Sequence, residues 1–182
     1  TTVYTALFTS IASQTFDIDV ASSNYTDFAG NSNTSATLFS VTLDITAPTM
    51  TITATKPDRL TNVSSGSTTN DSTLLLTFTS SKATTDFASG DITVNSGSIT
   101  NFSGSGTTYT ATFNPSGNGT YSINVADGAY TDAVGNDNTY DTFNWTYDAS
   151  PPSMTISATK VDYTNVPNNS TTADSTLLLK FT

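Results

Sequence analysis

The sequence predicts an all-β protein built from repeated sandwich domains, and three observations support this prediction. Apolar and polar residues alternate along many short runs, which is the pattern of a strand with one buried face. Residues that favour helices are scarce, since Glu is absent and Thr, Ser, Asn, Asp and Gly dominate, and this composition favours strands and turns. One long stretch also occurs twice, which indicates that a single domain plan is reused.

The repeated stretch runs from Tyr25 to Lys56 and again from Tyr130 to Lys160. Asp27 in the first copy matches Asp132 in the second, and the Gly, Asn and Asn residues that follow keep the same spacing. The period is about one hundred residues, which is too long for a solenoid repeat and suits an array of whole small domains. Each copy therefore joins the end of one repeat to the start of the next.

The Pro-containing segments 44–48 and 148–152 are the predicted linkers, and cutting there divides the chain into three parts. Residues 1–45 are expected to form the C-terminal part of a repeat with its last three strands. Residues 46–149 are expected to form one complete domain, and residues 150–182 the first two strands of the next repeat. The first and last apolar runs of the sequence are core-strand patterns, so we interpret the chain as an excerpt of a longer tandem protein.

The complete domain contains seven predicted strands. They cover Thr49–Lys56, Thr73–Ser80, Asp91–Val94, Ser98–Phe102, Thr107–Asn114, Thr120–Ala126 and Asp141–Asp148. The segment 57–72 between the first two strands is polar, with Pro, Gly and Asn, and is predicted to be a long connection. Seven short strands without a helix predict a seven-stranded Greek-key immunoglobulin-like β-sandwich. The chain would then hold tandem sandwiches, one complete and two partial.

Alternation also predicts which side chains fill the core of the complete domain. The strongest candidates are Phe78, Phe113, Ile123 and Trp145. In residues 1–45 the same alternation predicts three strands, the first of which places Tyr4, Ala6 and Phe8 on one face.

Composition and charge exclude several classes of function. The chain has 15 acidic and 5 basic residues, a formal charge of −10, and neither His nor Cys. This balance argues against binding to a phosphate backbone, and the missing Cys excludes disulfides and thiolate chemistry. No apolar run is long enough for a membrane span, and no nucleophile is paired with a base, so an enzyme is not expected.

The order of several short motifs resembles a known family. SSKATTDF, GDITV, GTTYTATF and DAVGN follow one another, and a Trp-containing strand and a Pro-containing linker come next. This pattern is similar to bacterial Ig-like (Big) domains, which occur in tandem in large extracellular adhesin-like proteins. The resemblance implies an Ig-like sandwich in an extracellular or cell-surface stalk, no enzymatic activity, and, in several members, calcium at the junctions between domains.

The repeated loop is the constellation with the most chemical content. In the immunoglobulin topology the loop between the last two strands lies at the same end as the domain's own N-terminus, so it should approach the preceding linker. Carboxylate and amide oxygens suit Ca²⁺, and they predict an interdomain calcium site. Its candidate ligands are Asp44, Asp132, Asn136, Asp137 and Asn138, with repeat equivalents Asp27, Asn31, Asn33 and Asp148. A carboxylate from the loop Asp86–Asp91 is a further candidate.

The same residues also suit a purely structural interpretation, in which Asp and Asn build Asx-turns and the loop glycines take positive φ. The sequence leaves both interpretations open. Among the Asn-x-Ser/Thr sequons, the loop sites Asn62, Asn70 and Asn118 are the glycosylation candidates if the source modifies such sites.

The function predicted from the sequence is that of a stalk or filament segment in a surface adhesin-like or fibre protein. Its partners would be neighbouring repeats of the same protein, and a homopolymeric filament is a further interpretation. The alternative is an adhesion module that binds a glycan or a surface protein through loops at the domain tips. Both copies of the loop are nearly identical, which favours the spacer.

Overall fold

The computed structural model describes residues 2–182 and consists almost entirely of strands. Thirteen strands lie in the described part of the chain, together with one 3-10 turn at Ser89–Asp91. The strands are β1 (Gln14–Ile18), β2 (Phe39–Leu43), β3 (Met50–Thr55), β4 (Asn62–Val63), β5 (Thr68–Thr69), β6 (Leu74–Thr84), β7 (Ile92–Val94), β8 (Ser98–Asn114), β9 (Gly119–Val125), β10 (Asp141–Tyr147), β11 (Ile156–Thr159), β12 (Asn165–Val166) and β13 (Leu178–Phe181). The chain divides into two compact units, one ending at Asp148 and one covering Ala149–Thr182.

Two four-stranded sheets make up the central part of the first unit. One sheet has the order β4-β3-β6-β8 and is antiparallel throughout. The other has the order β5-β10-β9-β7, in which β5 runs parallel to β10 and the remaining pairs are antiparallel. Their inner faces share one hydrophobic core, so the all-β sandwich expected from alternation is present.

The core contains the residues that alternation selects. Leu74, Leu76 and Phe78 on β6 are fully buried, because every second residue of a strand points to the same face. Across from them lie Ile123 on β9 and Trp145 on β10, both also fully buried. The predicted core residues Phe78, Phe113, Ile123 and Trp145 are therefore confirmed.

The segment 57–72 differs from the long connection predicted for it, because it contains the short strands β4 and β5. Val63 on β4 pairs with Ala54, and β5 lies beside the end of β10. A strand of two residues has no alternation to detect, so periodicity does not reveal it. β6 is also longer than predicted and continues past Ser80 to Thr84, with a register shift between Thr79 and Thr84.

The two strands predicted at Ser98–Phe102 and Thr107–Asn114 belong to one continuous strand, β8, in which the chain turns at Gly104–Gly106. Gly104 has φ 143°, and a Cβ there would lie 2.4 Å from the Thr108 carbonyl oxygen, so the chain folds back against itself at this point. Side-chain hydrogen bonds join the two halves, among them Asn114 Nδ2 to Thr100 Oγ1 at 2.9 Å. Only the second half of β8 pairs with β6 in regular register.

Residues 2–43 contain two strands, one fewer than predicted. β1 and β2 form an antiparallel pair from Gln14 opposite Leu43 to Ile18 opposite Phe39. The predicted strand with Tyr4, Ala6 and Phe8 is not formed, since residues 2–10 carry no strand assignment. In the complete repeat the equivalent part of β8 pairs with β6, and residues 2–43 contain no counterpart of β6 to supply those hydrogen bonds.

The second unit repeats the beginning of the complete domain. Its sheet order is β12-β11-β13, which matches β4-β3-β6, and Ala158 faces Val166 as Ala54 faces Val63. The two predicted strands are present as β11 and β13, and β12 is an addition to them. Within residues 2–182, no helix is of a length and apolarity suited to crossing a membrane.

Candidate functional site: a lysine-centred joint

The linker segment 44–46, between β2 and the complete repeat, is held from the upstream side by Ser13. The Ser13 hydroxyl accepts a hydrogen bond from the Ile45 backbone N–H at 2.9 Å. It also shares a hydrogen bond with the Thr46 hydroxyl at 2.8 Å. Ser13 directly precedes β1, so this contact fixes the linker to the end of the first strand pair.

From the downstream side the linker is held by Lys82, which lies near the end of β6. Its Nζ donates to the two carboxylate oxygens of Asp44 at 2.9 and 2.8 Å and to the backbone carbonyl of Thr46. The same ammonium donates to Asp132 Oδ2 at 2.8 Å. Four oxygens therefore surround one ammonium, three from the two carboxylates and one from the carbonyl. These contacts connect the linker to the loop between β9 and β10.

Asn136 adds a second link between this loop and the linker. Its side-chain amide donates to the Asp44 backbone carbonyl at 3.1 Å and to Asp132 Oδ2 at 2.9 Å. We call the group formed by Asp44, Thr46, Lys82, Asp132 and Asn136, together with Ser13, the joint.

The loop that carries Asp132 is shaped by its own hydrogen bonds. Asp132 Oδ1 accepts from the backbone N–H groups of Val134 and Asn136, each at 3.0 Å, and Gly135 takes φ 90°. This is the Asx-turn of the structural interpretation. In the first copy of the loop, Asp27 accepts from Asn31 in the same way, with Asn31 Nδ2 to Asp27 Oδ2 at 2.8 Å.

Asn138 belongs to the loop but not to the joint. It is buried, and its amide donates to the carbonyls of Ala126 and Thr139 at 2.8 and 3.0 Å. Its oxygen accepts from the Tyr130 backbone N–H at 2.9 Å. Asn33 repeats this arrangement in the first copy, where its amide donates to Ala21 and Thr34. Both asparagines therefore brace their own loop.

The remaining predicted ligands also lie away from Lys82. Asp137 sits beside Gly128, and Asp148 accepts a hydrogen bond from Asn118 Nδ2 at 3.3 Å. Asp86 contacts the loop at Thr131, where its carboxylate accepts hydrogen bonds from the Thr131 N–H and hydroxyl. Of the predicted calcium ligands, the structure thus brings together Asp44, Asp132 and Asn136.

Sequence reasoning missed Ser13 and Lys82. The repeat gives Ser13 only a weak signal, because the equivalent position before β9 holds a different polar residue, Asn118, and only the structure shows that each contacts an Asp of the following linker. The signal for Lys82 is weaker. It is one of only five basic residues, but a lysine in a strand is usually interpreted as solvent-exposed.

The charged groups of the joint favour one another's ionised forms. Hydrogen bonds from Lys82 and then Asn136 hold the pKa of Asp132 far below its usual value, and the Lys82 hydrogen bond lowers the pKa of Asp44. Hydrogen bonds to Asp132 and Asp44 raise the pKa of Lys82. At neutral pH all three groups are charged.

We expect the contribution of the joint to the free energy of unfolding to stay constant between about pH 4 and about pH 10. The reason is that the ordinary pKa values of Asp and Lys are 3.8 and 10.5. A carboxylate with a lowered pKa stabilises the fold above its unfolded pKa, and this is lost as the pH falls through the folded pKa. A lysine with a raised pKa stabilises below its unfolded pKa and loses this as the pH rises through the folded value. Urea midpoints followed by fluorescence of Trp145, the sole Trp, would measure the profile.

Other groups titrate in the same ranges, so the joint is isolated by difference. Burial raises the pKa of Tyr109 and of Tyr130, and Asp86 has a lowered pKa. The difference in midpoint between the native chain and Asp132→Asn should therefore shrink on acidification, while that between the native chain and Lys82→Met should shrink at alkaline pH. Differences that stay constant across the pH range would contradict the assignment.

Neither the calcium nor the glycan prediction is tested by this geometry. In the described part of the chain, no three or more side chains of the His, Cys, Asp and Glu types are grouped as a metal site requires. Asn62 lies in β4 and Asn70 follows β5, both exposed, whereas the amide of Asn118 donates to Asp148.

Comparison with known proteins supports the family suggested by the motifs. A family model described as a bacterial Ig-like domain matches residues 44–149, more than half of the chain. Searches of curated proteins and of solved structures found no match. Domains of this family are not typically enzymes and often occur in surface proteins. The match begins at Asp44, the linker residue held by Lys82, and the chain belongs to the family of bacterial Ig-like domains.

Proposed function

We propose that this chain is a non-enzymatic structural segment of an extracellular tandem protein, a stalk or filament part that sets distance and direction between neighbouring Ig-like repeats. The observation that carries the proposal is the joint. Lys82 and Asn136 of the complete repeat bind the linker at Asp44, and Ser13 binds the same linker from the preceding strand pair. A linker held from both sides has little freedom to swing.

The residues after the joint support this function. Pro48 is fully buried, and its ring fixes one backbone dihedral. The Pro48 carbonyl accepts from the Thr139 N–H at 3.0 Å, and the Thr49 carbonyl accepts from the Ser81 N–H at 2.9 Å. The path from the linker into β3 is therefore hydrogen-bonded on both sides.

A similar contact occurs at the next linker. Asn118 donates to Asp148 as Ser13 contacts Asp44, so the contact with the first residue of the linker occurs at both linkers. A spacer needs the same connection at each boundary, whereas a binding protein needs distinct chemistry at one of them. Three polar side chains of the loop form hydrogen bonds with backbone groups of the same chain, namely Asp132, Asn136 and Asn138. This favours the spacer over recognition of a partner through the tip loops.

Calcium remains part of the proposal only as an alternative source of positive charge at the joint. The corner predicted for the ion is the one where the Lys82 ammonium contacts Asp44 and Asp132.

A spacer must resist tension, and single-molecule stretching of the full chain held by its two ends tests this. Force on the C-terminal side pulls on β10, which runs parallel to β5 and is bonded to that segment by Thr146 N–H to Ser67 and Asp148 N–H to Thr69, each at 2.9 Å. A force along the strand direction shears the hydrogen bonds between two parallel strands and therefore loads them at the same time. We expect one discrete unfolding event that lengthens the chain by roughly 300 Å, the extended length of a repeat of this size.

Smooth extension at low force, without a discrete event, would contradict a spacer that resists tension. The same chain stretched in concentrated denaturant is the control, because it should show smooth extension throughout.

A further inference from the structure

We infer that the Lys82 ammonium is the resident cation of the joint, so that the order of the linker depends on this one lysine and not on a divalent metal ion. The inference rests on the proposed spacer function and identifies the group that holds its joint together. It predicts a connection that is insensitive to chelators and is loosened when Lys82 is replaced.

The Lys82 ammonium lies within a close set of oxygens. Nζ lies 2.8 Å from an oxygen of Asp44 and 2.8 Å from Asp132 Oδ2, and it also donates to the Thr46 carbonyl. An ammonium has three protons to donate, and here they meet a carboxylate with both oxygens, a second carboxylate and a carbonyl. Such a set of anionic and carbonyl oxygens needs a positive charge, and Lys82 provides it.

Removing that lysine would leave two negative charges unbalanced. The side chain of Asp132 is only 3% exposed, and it shares the ammonium with Asp44. Without Lys82 two carboxylates would face the same point, and like charges at this separation repel. Asn136 alone would then join loop and linker, through its hydrogen bond to the Asp44 carbonyl.

The first copy of the loop shows that the turn and the linker contact are separate features. The Asp27 loop has the same turn, with Asn31 donating to Asp27, and among the described residues Asp27 forms no ion pair with a lysine. The loop shape therefore does not need a lysine. Lys82 acts on the linker, so its removal should loosen residues 44–46 and leave the loop intact.

A lysine pair elsewhere in the same domain provides the matched control. Lys56 pairs with Asp71 at 3.2 Å, a one-to-one pair inside the complete repeat that involves no linker residue. Its side chain is about as exposed as that of Lys82. Replacing either lysine with methionine removes one charge and keeps a similar length.

Amide hydrogen exchange of the full chain tests the inference at the atoms concerned. The reporters are the N–H groups of Ile45, bonded to Ser13, and of Thr46, bonded to Asp44 Oδ1 at 3.1 Å. We expect Lys82→Met to speed exchange at both by about tenfold or more, while Lys56→Met leaves them unchanged. The Tyr130 N–H, which belongs to the loop, should keep its protection in both variants.

A chelator distinguishes the two cations. It should leave exchange in the native chain unchanged if the ammonium holds the linker, and should speed exchange at Ile45 and Thr46 if a divalent ion does. The inference is overturned if Lys82→Met leaves both rates unchanged, or if a chelator loosens the native linker. A chain that fails the stretching test but passes this one would lose the spacer function and keep the lysine joint.

Discussion

Replacing Trp145 with alanine is expected to lower the free energy of unfolding of the complete repeat by about 3–5 kcal/mol, the usual cost of removing a buried large aromatic side chain. Trp145 on β10 is fully buried, and its ring centre lies 5.9 Å from that of Phe113 on the opposite sheet and 6.0 Å from that of Tyr121. Its indole N–H also donates to the Thr69 hydroxyl at 3.1 Å. The substitution therefore leaves a cavity between the sheets and removes the tie to β5.

Urea unfolding followed by circular dichroism would measure this loss, since the variant has no Trp to report fluorescence. Natural domains are stable by about 5–15 kcal/mol, so a loss of this size is a large fraction of the total. Leu60→Ala is the control, because its side chain is 87% exposed and its removal should change stability by less than about 0.5 kcal/mol. A loss at Trp145 no larger than at Leu60 would contradict the assigned core.

The core was predictable because burial imposes a period that the sequence displays. Leu74, Leu76 and Phe78 alternate with residues that face outward, and the structure buries all three. The same reasoning overreached at Tyr4, Ala6 and Phe8, where the pattern is present but no strand forms. Alternation reports which face a strand would bury, whereas forming the strand requires a neighbour to accept its backbone hydrogen bonds.

The joint was predictable in part, for a different reason. Asp132 and Asn136 stand four residues apart in a repeated loop, and the immunoglobulin topology brings that loop to the linker at Asp44. Lys82 lies 38 residues after Asp44 and 50 before Asp132 in the chain, and no local pattern marks such a contact. The position of the charged site could therefore be inferred from topology, but the cation could not.

Asn138→Ala should lower the free energy of unfolding by about 1–3 kcal/mol, because it leaves the buried Tyr130 N–H without a partner and removes two donors to backbone carbonyls of the loop. Its amide bonds the carbonyls of Ala126 and Thr139, and its oxygen bonds the N–H of Tyr130. Tyr130 is 1% exposed, so water cannot readily replace the lost hydrogen bond. The urea midpoint reported by Trp145 fluorescence measures the effect.

The repeat provides a control with the same chemistry in a different environment. Asn33 makes equivalent bonds, with its oxygen accepting from Tyr25 at 3.0 Å, but Tyr25 is 64% exposed and water can take over. Asn33→Ala should therefore leave the Trp145 transition unchanged, while Asn138→Asp, which sets a charged oxygen against the Ala126 and Thr139 carbonyls, should lose at least as much stability as Asn138→Ala. Equal losses at Asn33 and Asn138 would show that burial of the loop does not set the cost. Since the two loops share their sequence motif and turn, a difference between them measures how far packing against the sandwich, and not the motif itself, holds the loop that carries Asp132 in place.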